Sequence, residues 1–311
     1  MRSRKKLAIF FLFLILTIPL VNKTLQITKQ SVWDGESHIN IAIDNGDIEI
    51  WSIEPSEKSA HRIVIPKNAY LSVGSYGAYR ASTIGRLSLL EKKDGSLVAM
   101  AIEESLAVPI DAAIVRKEGA DDLLELSVLF GPQGLVNTIS KAPLSGRVTN
   151  LSHLDLFRLW ALSLKKESIE TIYLTDTNVT SKMSLPDGGE GLAVDRDQFT
   201  KLAPKYFRDL RIEEEELTIE ILNGTTMSGL ANSVAQLITN IGGNVINTAK
   251  HEKSDRTAVF AKNDSYTAEK IAKILKGELL RESPKESRAD IVVVLGSSGP
   301  LGQWPERKDN N

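Results

Sequence analysis

The loop from Asn223 to Gly229 holds the residues whose types and spacing point most directly to chemistry. Three hydroxyl side chains follow Asn223-Gly224 where a helix must begin: Thr225, Thr226 and Ser228. Free backbone N–H groups and the positive end of the helix dipole meet at such a point, so the loop could bind an anion. The alternative is a tight strand-to-helix turn, because no lysine follows and the glycine spacing of a phosphate-binding loop is absent. Both interpretations single out Asn223, Gly224 and Gly229.

Composition excludes several other chemistries. The sequence has no cysteine, which excludes disulfides, thiolate nucleophiles and cysteine-based zinc sites. Its four histidines are scattered without metal-site spacing, and no Gly-x-Ser-x-Gly nucleophile segment is present. The net charge of −2, without a basic stripe interleaved with aromatic residues, argues against a nucleic-acid partner. We therefore expect no cofactor and no nucleic-acid binding.

The elements around the loop predict a small βαββαβ (α+β) domain over residues 217–296. Alternating residues from Leu217 predict a strand, and apolar residues at three- and four-residue steps predict a helix ending near Ile241. One of the loop hydroxyls is expected to cap that helix. A second helix follows Ser265, with Lys270, Lys273 and Lys276 expected to point outward. The apolar run Ile291 to Leu295 is typical of a central buried strand.

The N-terminal residues predict where in the cell the protein is located. Residues 1–22 combine a basic start with an almost unbroken apolar run over 7–21. No small-residue cleavage site follows, so we interpret the run as an uncleaved transmembrane anchor. The positive-inside rule puts the N-terminus in the cytoplasm and the bulk of this 311-residue chain outside, as a single-pass cell-membrane protein. Residues 23–36 are expected to form a tether, and the polar residues 297–311 a disordered tail.

The stretch 37–211 predicts an α/β, sandwich-like middle domain. Three short strands are expected over 39–43, 48–53 and 61–65, followed by helices, including one over 195–208 that Pro204 breaks. Four consecutive glutamates, Glu213 to Glu216, repel one another, so we place the domain boundary there.

The C-terminal domain resembles a known family. Leu217 to Thr225, then Ser228-Gly-Leu-Ala231 and Asp290 to Gly296, are similar to the C-terminal domain of LytR-type bacterial envelope proteins. The resemblance covers about the last third of the chain. It implies association with the cell envelope and no particular reaction.

The middle domain has a fainter resemblance to the LytR-CpsA-Psr catalytic domain. It is carried by Val64-Ile-Pro-Lys-Asn68 and by Val108-Pro-Ile-Asp-Ala-Ala-Ile-Val115. Those enzymes transfer lipid-pyrophosphate-linked glycopolymers onto peptidoglycan. Their Ser-Ile-Pro-Arg-Asp segment supplies an arginine and an aspartate, whereas this chain has Lys67, which lacks the bidentate fork, and Asn68, which lacks the charge.

The resemblance also nominates site residues, each with a plainer interpretation. Asp44 or Asp47 would hold Mg²⁺, or they are turn residues. Lys67, Arg147 and Arg158 would grip phosphate, or the two arginines are a loop charge and a solvated helix charge. If these residues point to separate surfaces, the transferase hypothesis fails.

Three hypotheses follow. The first is a degenerate, non-catalytic middle domain that serves binding or scaffolding in cell-envelope assembly. Its partners would be the membrane through residues 7–21 and peptidoglycan, a lipid-linked glycopolymer or envelope proteins. The alternative is an active glycopolymer–peptidoglycan phosphotransferase that uses Mg²⁺ and a polyprenyl-pyrophosphate-linked substrate. A plainer third hypothesis treats the middle domain as an unrelated α/β spacer.

Overall fold

The computed structural model describes residues 31–117, 119, 144–185, 188–282 and 287–297. The predicted anchor, most of the predicted tether and nearly all of the predicted tail lie outside these ranges. Among the described residues, no helix has the length and apolar content needed to cross a membrane.

An antiparallel meander forms the centre of the middle domain. Strands β1 (Ile39–Asn45), β2 (Asp47–Ile53) and β3 (Ser59–Ile65) pair in succession, as the alternating sequence predicts. Gly46 adopts a φ of +92° between β1 and β2. This left-handed conformation, which glycine reaches without strain, allows the hairpin to reverse within one residue.

Two sheets are built around this meander. The second sheet contains β4 (Ala69–Ser72), β5 (Ala78–Arg80), β9 (Thr180–Ser184) and β10 (Glu190–Val194), in the order β5-β4-β10-β9. The first sheet is completed by β6 (Ala112–Arg116), β7 (Arg147–Thr149) and β8 (Ser168–Tyr173), in the order β7-β6-β1-β2-β3-β8. Strands β7 and β8 form the two edges of this six-stranded sheet, so both edges are supplied by residues far in sequence from the meander.

Helices cover both faces of the six-stranded sheet. They are α1 (Ala81–Leu90), α2 (Ser96–Leu106), α3 (His153–Ser163) and α4 (Arg196–Phe207). Helices α1, α2 and α4 share one apolar core with Ile48, Ile50 and Ile63, whereas α3 packs on the opposite face against Ile41 and Trp51. The mixed α/β class predicted from the sequence is confirmed, and the helices enclose the sheet in layers.

Proline 204 does not break α4, contrary to prediction. The helix runs through it from Arg196 to Phe207. Proline removes one backbone hydrogen bond in such a position. The loss is offset because Phe199, Ala203 and Phe207 form a fully buried stripe at four-residue spacing.

The C-terminal domain is a five-stranded sheet. Its elements are β11 (Thr218–Asn223), α6 (Leu230–Asn240), β12 (Asn244–Lys250), β13 (Ala258–Ala261), α7 (Tyr266–Leu275), β14 (Glu278–Leu280) and β15 (Ile291–Leu295). The strand order β12-β11-β15-β13-β14 makes β15 central and buried, as predicted. The short edge strand β14 was missed, so the domain is βαββαββ. It pairs with only three residues of β13, too few for a clear alternating pattern.

One further expectation about this region is wrong, since Lys270 does not point outward. The domain boundary placed at the four glutamates stays a prediction, and α5 (Leu210–Glu215) includes three of them. The Glu215 carboxylate accepts hydrogen bonds from the backbone N–H groups of Tyr266 and Thr267, which satisfies free donors at the start of α7. Lys270 points inward and is 6% exposed, because its ammonium group reaches across to the middle domain.

Candidate functional site

The loop predicted to carry chemistry is organised by the side chain of Asn223. Its Oδ1 accepts hydrogen bonds from the backbone N–H of Thr225 (3.0 Å) and from the Thr225 hydroxyl (2.7 Å). Its Nδ2 donates to the carbonyl oxygen of Met227 (2.8 Å). The Met227 N–H in turn donates to Thr225 Oγ1. The loop's N–H groups at Thr225 and Met227 therefore already have partners, which the tight-turn interpretation explains.

The two glycines of this loop serve different purposes. A Cβ on Gly224 would lie 2.7 Å from the carbonyl oxygen of Leu295, so this position needs the close approach that only glycine permits. Gly229 instead has a φ of +78° and open space around it. Gly229 is also the N-cap of α6, and no side chain caps that helix. The predicted hydroxyl cap is therefore wrong, because Thr225 is used inside the loop.

The end of this loop borders a cleft between the two domains. The cleft has a volume of about 880 Å³. The C-terminal domain contributes Met227 to Leu230 and the first turns of α6, and the middle domain contributes α2, β4, β10 and the start of α4. Neither domain alone forms this concave surface, which makes it a natural place to seek a ligand.

Hydroxyl, amide and carboxylate groups dominate the cleft. Its neutral polar side chains are Ser72, Ser105, Ser228, Asn232, Ser233 and Gln236. The Glu104 carboxylate accepts from the Ser72 hydroxyl (2.5 Å) and from the Gly74 N–H (2.7 Å). Asp195 caps α4 by accepting from the Gln198 N–H. Tyr70 and Met183 add apolar surface. Because the carboxylates on its walls repel negative charge, the cleft suits a polar, uncharged or cationic chain better than an anion.

Arg196 joins the two walls of the cleft. One guanidinium nitrogen donates to the carbonyl oxygen of Glu104 (3.0 Å) and another donates to that of Ser233 (3.1 Å). Gln236 makes a second bridge by donating to the Thr200 hydroxyl (2.6 Å). These bonds fix the width of the cleft. They involve residues distant in sequence, so no local pattern could have predicted them.

The aspartates of the first hairpin have structural partners. Asp44 is 5% exposed and presses against α1, where a Cβ on Gly85 would lie 1.9 Å from its carboxylate oxygen. Burial raises the pKa of Asp44. Asp47 accepts a hydrogen bond from the backbone N–H of Lys67 (2.6 Å), while the Lys67 residue remains exposed. Asp44 is therefore covered by protein, and only Asp47 and Lys67 lie at the surface near each other.

The arginines nominated for phosphate lie apart. Arg147 on β7 pairs with Arg116 on β6, at the end of the sheet that also holds Asp47. Three strand spacings separate β7 from β2, which amounts to about 14 Å. Arg158 on α3 donates instead to the hydroxyl of Ser31 (2.8 Å) and to the carbonyl oxygen of Trp33. Since β1 begins at Ile39, six residues after Trp33, and ends at the hairpin with Asp44, Arg158 lies toward the opposite end of the sheet.

The two nominated aspartates lie on opposite faces of the six-stranded sheet. In the described part of the chain, no group of three or more histidine, aspartate or glutamate residues is placed to hold a metal ion. Asp44 faces α1, and Asp47 alternates onto the face covered by α3, so the two carboxylates point to opposite sides of the sheet. The two carboxylates therefore cannot ligate one ion together, and the expectation that Asp44 or Asp47 alone holds Mg²⁺ stays a prediction.

A family match identifies the C-terminal domain. Residues 216–298 match the family described as the LytR cell envelope-related transcriptional attenuator. The resemblance predicted from the Asn-Gly-Thr and Gly-Leu-Ala segments is confirmed over these residues. In this mixed α/β protein, the matched domain is docked against a second α/β domain through contacts such as that of Lys270 with the carbonyl oxygen of His38.

Solved structures similar to the chain include proteins of the LytR-CpsA-Psr family. B. subtilis TagT is 15% identical, with a TM-score of 0.37 over 55% of this chain and 89% of TagT. The LytR-CPS2A-psr family protein YwtF (TagT) with bound octaprenyl pyrophosphate lipid is 14% identical, with a TM-score of 0.37 and the same coverage. B. subtilis TagV is 11% identical, with a TM-score of 0.40 over 54% of this chain and 94% of TagV. No curated protein matches the sequence.

Proposed function

We propose that the protein is a membrane-anchored, extracytoplasmic component of bacterial cell-envelope assembly that binds a wall polymer without transforming it. The LytR C-terminal domain supports the envelope role. The apolar run over residues 7–21 supports the anchor. The observation that carries the binding role is the polar cleft that both domains build together.

The composition of the cleft defines the ligand class. Hydroxyls and amides on its walls offer donors and acceptors to a chain of sugars or to a peptide, and Tyr70 and Met183 offer apolar surface. Glu104, Asp195 and Asp197 disfavour a phosphate-rich polymer. Peptidoglycan, with neutral sugars and short peptides, therefore suits the cleft better than a polyphosphate chain.

A substitution at the mouth of the cleft tests this function. Ser228 is exposed and lines the cleft, so Ser228→Trp fills part of it without disturbing the core. Thr226 is exposed in the same loop but is not part of the cleft wall, so Thr226→Trp is a matched control. We expect co-sedimentation of the detergent-solubilised full chain with purified peptidoglycan to weaken at least about tenfold for Ser228→Trp only, the loss of one or two good contacts. Failure of the unaltered chain to co-sediment would overturn the proposal.

A transferase is the second candidate, because Asp47, Lys67 and Arg147 lie at the same end of the six-stranded sheet. It ranks second because three strand spacings separate Arg147 from Asp47, so these residues do not share one pocket. Calorimetry of the full chain with a polyprenyl pyrophosphate, with and without Mg²⁺, distinguishes it. Micromolar, Mg²⁺-dependent binding that Arg147→Ala abolishes would favour a transferase. Arg158→Ala is a poorer test, since Arg158 holds the N-terminal segment.

A further inference from the structure

Helix α3 is apolar on two sides. Its inner side buries Leu156, Leu159 and Leu162 in the core of the middle domain. On the outer side, Phe157 is 47% exposed and Leu164, the residue after the last turn, is 57% exposed. Phe157 also stacks near Trp160, with ring centres 5.5 Å apart. A surface helix normally presents polar residues to water, so the exposed Phe157 and Leu164 indicate that another surface covers this side of α3.

Further exposed apolar side chains lie on the edge strand β8, on the same side of the sheet as α3. Ile169 and Tyr173 are 38% and 48% exposed. Ile169 pairs with Ala60, which belongs to the core under α3, so strand alternation puts both side chains on the α3 side of the sheet. Four of the six exposed large hydrophobic side chains in the described ranges lie between residues 157 and 173. Such clustering marks an interaction surface rather than scattered exposure.

The chain enters the fold on this same helix. The hydroxyl of Ser31 donates to the carboxylate of Asp155 (2.5 Å), and the backbone N–H of Trp33 donates to the same oxygen (3.1 Å). Arg158 donates to Ser31 as well, and Trp33 is only 2% exposed. The first described residue is therefore fastened to α3, one turn from Phe157.

The length of the preceding chain limits the distance to the membrane. Nine residues, 22–30, separate Ser31 from the end of the apolar run. Nine residues span at most about 32 Å when fully extended. If residues 7–21 cross the membrane, α3 must stay within that distance of the surface from which they emerge.

We propose that the outer face of α3, together with the exposed side of β8, rests on the headgroup region of the lipid bilayer. This inference rests on the anchoring that the proposed function includes. Aromatic and aliphatic side chains beside a lysine are typical of interfacial surfaces, and Lys165 is exposed at the end of α3.

This contact orients the cleft. Helices α2 and α4, which line the cleft, pack on the opposite face of the six-stranded sheet from α3. With α3 on the bilayer, α2 and α4 lie on the far side of the sheet. The cleft is then presented away from the membrane, toward the cell wall where peptidoglycan lies.

The absence of cysteine makes a site-directed test simple. Phe157→Cys and Leu164→Cys variants of the full chain carry a spin label in vesicles of phosphatidylglycerol and phosphatidylethanolamine. Leu90→Cys is the control, because Leu90 is 68% exposed on α1, across the sheet from α3. Collision with oxygen reports lipid, and collision with a soluble nickel chelate reports water. We expect labels at 157 and 164 to favour oxygen at least about threefold over the label at 90.

The outcomes separate the two proposals. If the chain does not float with the vesicles, the anchoring is wrong and the membrane surface is wrong with it. If it floats but the labels at 157 and 164 meet nickel as freely as the label at 90, only the membrane surface is wrong. If both probes are excluded at 157 and 164, protein covers the stripe, and the lipid assignment is overturned.

Discussion

Burial at the junction between the domains changes the pKa of a single side chain, that of Glu103. Its carboxylate accepts a hydrogen bond from the backbone N–H of Ile110 (3.2 Å) at the end of α2. Burial raises its pKa from the ordinary 4.5 to about 7, and the Ile110 N–H and the Lys276 charge only partly oppose that rise. The folded protein therefore holds a proton on Glu103 more tightly than the unfolded chain does.

The sign of the pH dependence follows from this raised pKa. Between pH 4.5 and 7 the folded state binds more protons than the unfolded state, so the free energy of unfolding falls as pH rises through that window. Glu103→Gln keeps an acceptor for Ile110 and removes the charge. We expect it to raise the free energy of unfolding by on the order of 2 kcal/mol at pH 8 and to have little effect below pH 4.5. Urea titrations at pH 4 and pH 8 measure this, with exposed Glu214→Gln as control.

The strand-turn-helix unit around Gly224 gives a prediction at the scale of the element. Gly224→Ala would place a Cβ 2.7 Å from the carbonyl oxygen of Leu295 on the central strand β15, and neither backbone can move without disrupting the sheet. In Gly229→Ala the new Cβ contacts no other atom, so only the left-handed backbone conformation lowers the free energy of unfolding. We expect losses of about 3 kcal/mol for Gly224→Ala and about 1 kcal/mol for Gly229→Ala.

Thermal and urea unfolding of these two variants check the explanation. A larger loss at Gly229 than at Gly224 would contradict it, because conformational preference and not close approach would then dominate. Since both positions lie in one loop, the comparison also controls for general disruption of that loop.

The elements that the sequence could predict are those governed by local patterns. The alternation in β1 to β3 and β11, the apolar spacing of α6 and the continuous run of β15 report burial directly, so these elements appear where expected. Failures occur where a distant group decides the outcome. The position of Lys270 on α7 looks solvent-facing from its neighbours alone, and its partner Asp111 lies 159 residues away.

The candidate site was harder to predict because tertiary contacts create it. The sequence drew attention to Asn223, Gly224 and Gly229, and Gly229 does line the cleft. The opposite wall comes from residues near 70, 104 and 196, which carry no shared motif. Asp44 and Arg158 were nominated by resemblance, yet burial under α1 and contacts to residues 31–33 give them structural partners.

At the scale of the whole molecule, a buried ion pair holds the domains together. The Lys270 ammonium donates to the carbonyl oxygen of His38 (2.9 Å) and lies 3.3 Å from an Asp111 carboxylate oxygen. Both side chains are less than a tenth exposed. Asn240 adds a second buried bridge by donating to the carbonyl oxygen of Ala107 (2.8 Å). These contacts, with Arg196 and Gln236, make the cleft a fixed feature rather than a gap between independent domains.

Removing one partner of this pair should uncouple the domains. Lys270→Met leaves the Asp111 carboxylate buried without its nearest cation, and we expect a loss of about 3 kcal/mol together with two calorimetric unfolding transitions in place of one. Lys273→Met is the control one turn away, since Lys273 is half exposed and 4.0 Å from the same carboxylate; its loss should stay below about 1 kcal/mol. Adding Asp111→Asn to Lys270→Met should restore part of the loss, because the uncompensated charge is then gone. A single unfolding transition in Lys270→Met, with losses of the two single substitutions that simply add in the double variant, would contradict this explanation. Other contacts would then hold the domains together, and the cleft would keep its shape without the ion pair.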